Sequence, residues 1–90
     1  MVADMTDFTI TELKLTIESC VGTQDAAGVD ETSLDTEFTE LGLDSLVVFE
    51  VSMRLQDDLG IRISDDELEQ TPTPRALIDL VNGKRAELAR

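Results

Sequence analysis

The chain contains no histidine, no tryptophan and no tyrosine, and only one cysteine. The missing histidine removes the commonest general base and the commonest zinc ligand. One cysteine, Cys20, cannot close an internal disulfide, so nothing points to an oxidising compartment. Long apolar runs are also missing. The longest aliphatic–aromatic run is Leu46-Val47-Val48-Phe49, far short of the ~20 residues that a membrane helix needs. Met1 to Ile10 hold neither a basic stretch nor a long apolar core, so no signal peptide is expected. Positive charge is scarce: 7 Lys and Arg stand against 20 Asp and Glu, a net charge of −13. Such a surface repels phosphate backbones and anionic lipid, so neither nucleic acid nor membrane is an expected partner. Proteins with basic patches are the natural partners. At 90 residues the expectation is one small cytoplasmic domain over residues 1–90.

What charge there is lies unevenly. Residues 1–40 carry ten acids and only Lys14, and residues 41–70 carry eight acids against Arg54 and Arg62. Residues 71–90 reverse the sign, with Arg75, Lys84, Arg85 and Arg90 against Asp79 and Glu87. A solvated face and an electrostatic docking face are both consistent with this, and charge alone does not choose between them.

The apolar spacing predicts four helices and no strand, an all-α four-helix bundle with one short helix and a long first loop. Ile10, Leu13, Ile17, Cys20 and Val21 put the first helix at about 9–21, started by Thr9 or Thr11 and stopped by Gly22. Cys20 is read as a small buried hydrophobe. Residues 22–43 form a long connection pinned by Leu34, Phe38, Leu41 and Leu43, with a helical turn expected between Leu34 and Leu41. Asp44 caps the strongest helix, whose broad apolar face is read as Leu46, Phe49, Met53, Leu55 and Leu59, closed by Gly60. Asp44, Val47, Glu50, Arg54, Asp57 and Asp58 are placed on its other face. Ile61-Arg62-Ile63 has no partner strand and reads as an extended connector with its isoleucines inward. Ser64 to Glu67 is a capping box opening a short helix to about Gln70. Thr73 and Pro74 start the last helix, with Leu77, Ile78, Leu80 and Val81 on its stripe. Asn82-Gly83 is the expected stop, which leaves 84–90 as a frayed or weakly packed tail.

Catalytic chemistry finds no support. Ser45 lacks the flanking glycines of a nucleophile elbow and has no histidine to deprotonate it. Lys14 and Lys84 fall on expected solvent faces. The acid-rich stretches at 30–35 and 64–67 lack the calcium-loop pattern, and no His/Cys cluster exists for zinc. Ser45 stands out for another reason. Its hydroxyl lies in the first turn of a helix, where unpaired backbone N–H groups and the positive dipole end favour a bound or attached phosphate. Leu43 and Leu46 are expected to anchor that turn. An ordinary capped helix start has the same residues.

Leu41-Gly42-Leu43-Asp44-Ser45-Leu46 resembles the motif around the modified serine of acyl carrier proteins. The length, the acidity, the helix order, Glu50 five residues after the serine, and Leu59 to Asp66 leading into the short helix extend the resemblance over most of the chain. Many members have proline where Ser64 stands. The resemblance implies that a phosphopantetheinyl transferase attaches 4′-phosphopantetheine from coenzyme A to Ser45, with Asp44 and Leu46 flanking the attachment point. Acyl chains are then held as thioesters on that arm, no catalytic residue is needed, and no metal is implied. Asp44, Val47, Glu50, Asp57 and Asp58 are the implied docking residues for partner enzymes.

Thr71-Pro72-Thr73-Pro74-Arg75-Ala76-Leu77-Ile78-Asp79-Leu80-Val81-Asn82 is similar to the ending of stand-alone carriers of type II (aromatic) polyketide synthases, and Cys20-Val21-Gly22 to the end of their first helix. The implied cargo is a growing poly-β-ketoacyl chain. The implied partners are ketosynthase/chain-length factor, malonyl transferase, ketoreductase and cyclase-type enzymes, visited by a monomer. A fatty-acid carrier and an acidic interaction or inhibitor module are the alternatives. Fatty-acid carriers more often have an acid where this chain has Val47. Phe38, Leu46, Phe49, Ile63, Leu68 and Leu77 are candidate linings of an acyl pocket between the second and third helices, and each serves equally well as plain core. A polar polyketone gains less from such a pocket than a saturated chain does, so weak sequestration is expected.

Overall fold

The computed structural model describes residues 8–24 and 26–88. Helix α1 spans Ile10–Val21, α2 Ser45–Leu59, α3 Asp65–Glu69 and α4 Pro74–Leu88, and a 3₁₀ turn covers Glu31–Ser33 in the long first connection. No strand occurs among the described residues.

The helix boundaries follow local chemistry. At the start of α1 the Glu12 carboxylate accepts from the Thr9 N–H at 2.7 Å and from the Thr9 hydroxyl at 3.0 Å. Asp44 Oδ1 accepts from the Val47 N–H at 3.0 Å and so caps α2. Gly60 ends α2 in the left-handed region, at φ 67°, where a side chain costs about 1 kcal/mol or more. Ser64 and Glu67 cap α3 reciprocally. The Thr73 hydroxyl accepts from the Ala76 N–H at 3.2 Å, ahead of Pro74 in the first position of α4.

The core comes from α1, α2, α4 and the connecting segments. Leu13 and Ile17 of α1, Val51 and Leu55 of α2, and Leu77, Ile78 and Val81 of α4 meet Ala26, Val29, Phe38 and Leu43 of the connection. Ile61 and Ile63 point inward as the alternation predicts. The connection is ordered by backbone bonds as well as by its pins. The Phe38 N–H donates to the Pro72 carbonyl at 2.8 Å and the Arg75 N–H to the Leu34 carbonyl at 2.9 Å. The Arg75 guanidinium also pairs with Asp35 at 2.7 Å, and that hydrogen bond holds the Asp35 carboxyl below its ordinary value. The expected helical turn is present at 37–41, where the Leu41 N–H donates to the Glu37 carbonyl at 3.1 Å. The 3₁₀ turn at Glu31–Ser33 is an additional one, capped by the Asp30 carboxylate accepting from the Thr32 N–H at 2.8 Å.

Two expectations are corrected. First, α2 is rotated from the predicted face. Leu46, Phe49 and Met53 are 73%, 43% and 54% exposed, while Val51 is 2% exposed and Val47 and Val48 pack against the core. The space left by Leu13, Ile17, Phe38 and Leu77 is filled by the valine side of the helix, and Val47 accordingly leaves the exposed face. Ser52 is buried on the inner side with its hydroxyl donating to the Phe49 carbonyl at 2.9 Å.

Second, Asn82-Gly83 does not stop α4, which continues to Leu88. Asn82 is instead a clip. Its Oδ1 accepts from the Phe8 N–H at 2.8 Å, and its Nδ2 donates to the Phe8 carbonyl at 3.0 Å. Phe8 is buried beside it. A helix interior tolerates Gly83 at about 1 kcal/mol relative to alanine. Of the expected frayed tail, residues 84–88 are helical and 89–90 lie outside the described residues. Asn82→Ala removes both bonds and leaves two backbone groups of Phe8 to find water. It is expected to cost about 1–2 kcal/mol in urea unfolding, and an unchanged midpoint would show that the clip carries no stability.

Candidate functional site

Ser45 is the first residue of α2 and is exposed. The preceding chain delivers it there. Gly42 takes φ 84°, a left-handed turn, and the Leu43 N–H donates to the Phe38 carbonyl at 2.9 Å. Leu43 is buried and anchors the turn as expected. Leu46 does not, since it stands out in solvent. Asp44 spends one carboxylate oxygen on the Val47 N–H.

The chain has five serines, and their hydroxyls are not equivalent. Ser19 donates to the Thr16 carbonyl at 2.6 Å, Ser33 to the Asp30 carbonyl at 3.0 Å and Ser52 to the Phe49 carbonyl. Ser64 accepts from the Glu67 N–H at 3.1 Å. Among the described residues, the Ser45 hydroxyl alone of the five has no protein partner, and it sits at a helix start where an attached phosphate is favoured.

Beside Ser45 opens a cavity of about 150 Å³ whose lining includes Phe38, Leu43, Val48, Leu68 and Thr71. Its volume matches that of about five liquid water molecules. Of the six residues read from sequence as a pocket lining, Phe38 and Leu68 are at this cavity. Leu77 lies deeper, at a narrow apolar gap too small for water that it shares with Ile17, Phe38 and Val51. Ile63 is buried in the core away from both, and the rotation of α2 carries Leu46 and Phe49 to the outside. Val48, Leu43 and Thr71 were not expected at the cavity. The run Leu46-Val47-Val48-Phe49 holds no signal that singles out Val48.

A second, open groove of about 660 Å³ runs between α1 and α2. Phe49, Met53 and half-buried Cys20 line it together with Glu50, Arg54, Asp57 and Asp58. Three of the expected docking acids, Glu50, Asp57 and Asp58, are therefore gathered at one groove. Asp44 is exposed at the end of the helix, and Val47 is half-buried. Among the described residues no group of three or more His, Cys, Asp or Glu is placed to hold a metal, and no helix is long and apolar enough to cross a membrane.

A family model described as a phosphopantetheine attachment site, PP-binding, matches residues 15–81. The chain belongs to this family. Among curated relatives, it is similar to the granaticin polyketide synthase acyl carrier protein of Streptomyces violaceoruber, with 38% identity over 94% of this chain and 100% of that one. Among solved structures, the actinorhodin apo acyl carrier protein from S. coelicolor superposes with a TM-score of 0.81 at 35% identity, covering 92% of this chain and 96% of that one. The oxytetracycline acyl carrier protein gives a TM-score of 0.80 at 30% identity, over 96% of this chain and 90% of that one. The bundle is thus the acyl-carrier fold, and this phosphopantetheine-attachment protein is a carrier rather than a catalyst, with 4′-phosphopantetheine as its prosthetic group. An exposed, unpartnered hydroxyl at the start of α2 fits a phosphodiester link, and the apolar cavity beside it fits a short acyl group.

Proposed function

We propose that Ser45 bears the phosphopantetheine arm and that the carrier holds poly-β-ketoacyl intermediates of an aromatic polyketide synthase as thioesters on it. The observation that carries this is the Ser45 hydroxyl: exposed, unpartnered among the described residues, and set at the capped start of α2. The transferase reaction joins that oxygen to the phosphopantetheine of coenzyme A as a phosphodiester. The attached arm supplies the thiol that carries the acyl group. Asp44 fixes the helix start, and the synthase enzymes supply the catalytic groups that this chain lacks. Incubation with coenzyme A, Mg²⁺ and a broad-specificity phosphopantetheinyl transferase is expected to add one phosphopantetheine by intact mass. No addition, under conditions that modify another carrier, sinks the assignment.

The partners of this single carrier domain are a phosphopantetheinyl transferase and the ketosynthase/chain-length factor, malonyl transferase, ketoreductase and cyclase-type enzymes, met in the cytoplasm by a monomer. The charge supports this reading: −13 over 90 residues, with Glu50, Asp57 and Asp58 on one groove of α2. Such a face speeds encounter with basic surfaces and permits quick release, as a shuttle requires. Reversing Asp44 and Glu50 to lysine is expected to slow modification by about tenfold at low salt, with a smaller effect at high salt. The double variant loses the Asp44 cap, so Asp44→Asn with Glu50→Lys controls for helix stability. Equal rates for all three proteins would remove these two acids from the docking face.

A further inference from the structure

Helix α3 is five residues long and has no fully buried residue. It also crowds Asp65, Asp66, Glu67 and Glu69 together. A helix so short does not persist through its own hydrogen bonds, and like charges at this spacing oppose it. Its position comes from Leu68, which packs half-buried against the core, and from side-chain ties. The Thr71 hydroxyl donates to the Leu68 carbonyl at 2.9 Å. Glu67 supplies two more. One carboxylate oxygen accepts from the Ser64 N–H at 2.9 Å and starts the helix. The other accepts from Lys84 Nζ of α4 at 2.7 Å.

Lys84 was expected on a solvent face. The continuation of α4 past Gly83 instead brings it to α3 half-buried, with its side chain 23% exposed and that of Glu67 37%. This pair is better shielded than Arg75–Asp35, at 54% and 75%. Among the described residues it is the one ion pair that reaches α3. Leu68, the next residue after Glu67, lines the cavity beside Ser45, as does Thr71.

We infer that Lys84 is a positioning residue for the cargo: by gripping Glu67 it holds α3 against the bundle, keeps Leu68 over the cavity beside Ser45, and so sets how well a short acyl group is shielded from water. The inference rests on the assignment of Ser45 as the attachment point. The lowered Glu67 carboxyl agrees with it, since the Lys84 hydrogen bond is the largest cause of that shift. The tie is independent of the docking groove, which lies between α1 and α2.

The test uses holo-protein loaded with an acetyl or a hexanoyl thioester, in the wild type, Lys84→Met and Lys84→Arg. Methionine keeps most of the apolar stem and removes the charge. Thioester loss is followed by intact mass, and exchange of the Leu68 and Gln70 amides by NMR. Hexanoyl loss is expected to rise about three- to fivefold in Lys84→Met, the size that suits a partly shielded ion pair. Acetyl, too short to reach the cavity floor, is expected to be unaffected, and Lys84→Arg to restore most of the protection. Faster amide exchange in α3 should accompany the hexanoyl change. Unchanged hexanoyl loss in Lys84→Met overturns the inference. So does an equal rise for both thioesters, which is what general loosening would give, or a wild type that protects hexanoyl no better than acetyl. A wild type that takes no phosphopantetheine overturns the Ser45 assignment and this inference with it. Normal loading with unchanged protection removes only Lys84.

Discussion

Ser45→Ala is expected to abolish phosphopantetheine transfer completely while the circular-dichroism spectrum stays that of the wild type. The substitution removes the hydroxyl proposed to form the phosphodiester. It leaves the Asp44 cap on the Val47 N–H in place, and alanine is a good helix former at an exposed first position. The other four serines do not substitute. Ser33 and Ser52 are buried, the Ser64 hydroxyl caps α3, and the Ser19 hydroxyl is bonded within α1. Intact mass after exhaustive incubation with coenzyme A and transferase gives the answer. Modification of the alanine variant at the wild-type rate would move the attachment point elsewhere.

The second large effect is on stability. Leu77→Ala is expected to cost about 2–5 kcal/mol, as full burial of a leucine implies. Leu77 is 0% exposed and sits among Ile17, Phe38 and Val51, so the truncation opens a cavity in the core. Against a typical domain stability of about 5–15 kcal/mol this is a large fraction. Leu46→Ala provides the contrast: at 73% exposure it should shift unfolding by about 0.5 kcal/mol or less. Urea midpoints of the two variants test the rotation of α2 directly. A Leu46→Ala cost equal to that of Leu77→Ala would place the leucine inside.

Much of this architecture was legible because short polar signals fix helix ends. Thr9, Asp44, Ser64 and Thr73 begin the four helices, and Gly22 and Gly60 close the first two. The proposal for Ser45 draws on the same signal, since its hydroxyl stands one residue after a cap. What failed was rotation. Four consecutive apolar residues, each turned about 100° from the last, span the whole circumference of a helix. Hydrophobicity then cannot say which of Leu46, Val47, Val48 and Phe49 faces inward. The choice is made by the shape of the space between α1 and α4, to which distant residues contribute. That error placed Leu46 and Phe49, both exposed, in the cavity lining and left half-buried Val47 on the exposed face.

The other failure was at Asn82. An Asn-Gly pair reads as a helix stop when its neighbours along the chain are the only ones considered. Its actual partner is Phe8, whose backbone it grips from the opposite end of the sequence. The position of Lys84 depends on the same continuation of α4, so the tie to α3 could not be seen from local pattern either.

The outward stripe of Leu46, Phe49 and Met53 also bears on how copies of the protein behave in concentrated solution. Three large apolar side chains on one helix face would ordinarily invite self-association. The net charge of −13 opposes it, because approaching copies repel before their stripes can touch. That repulsion reaches about 10 Å at 0.1 M salt and only about 3 Å at 1 M. The acidic surface is therefore a colloidal stabiliser whose range the solvent sets, and strong salt leaves the stripe with no barrier beyond its own hydration.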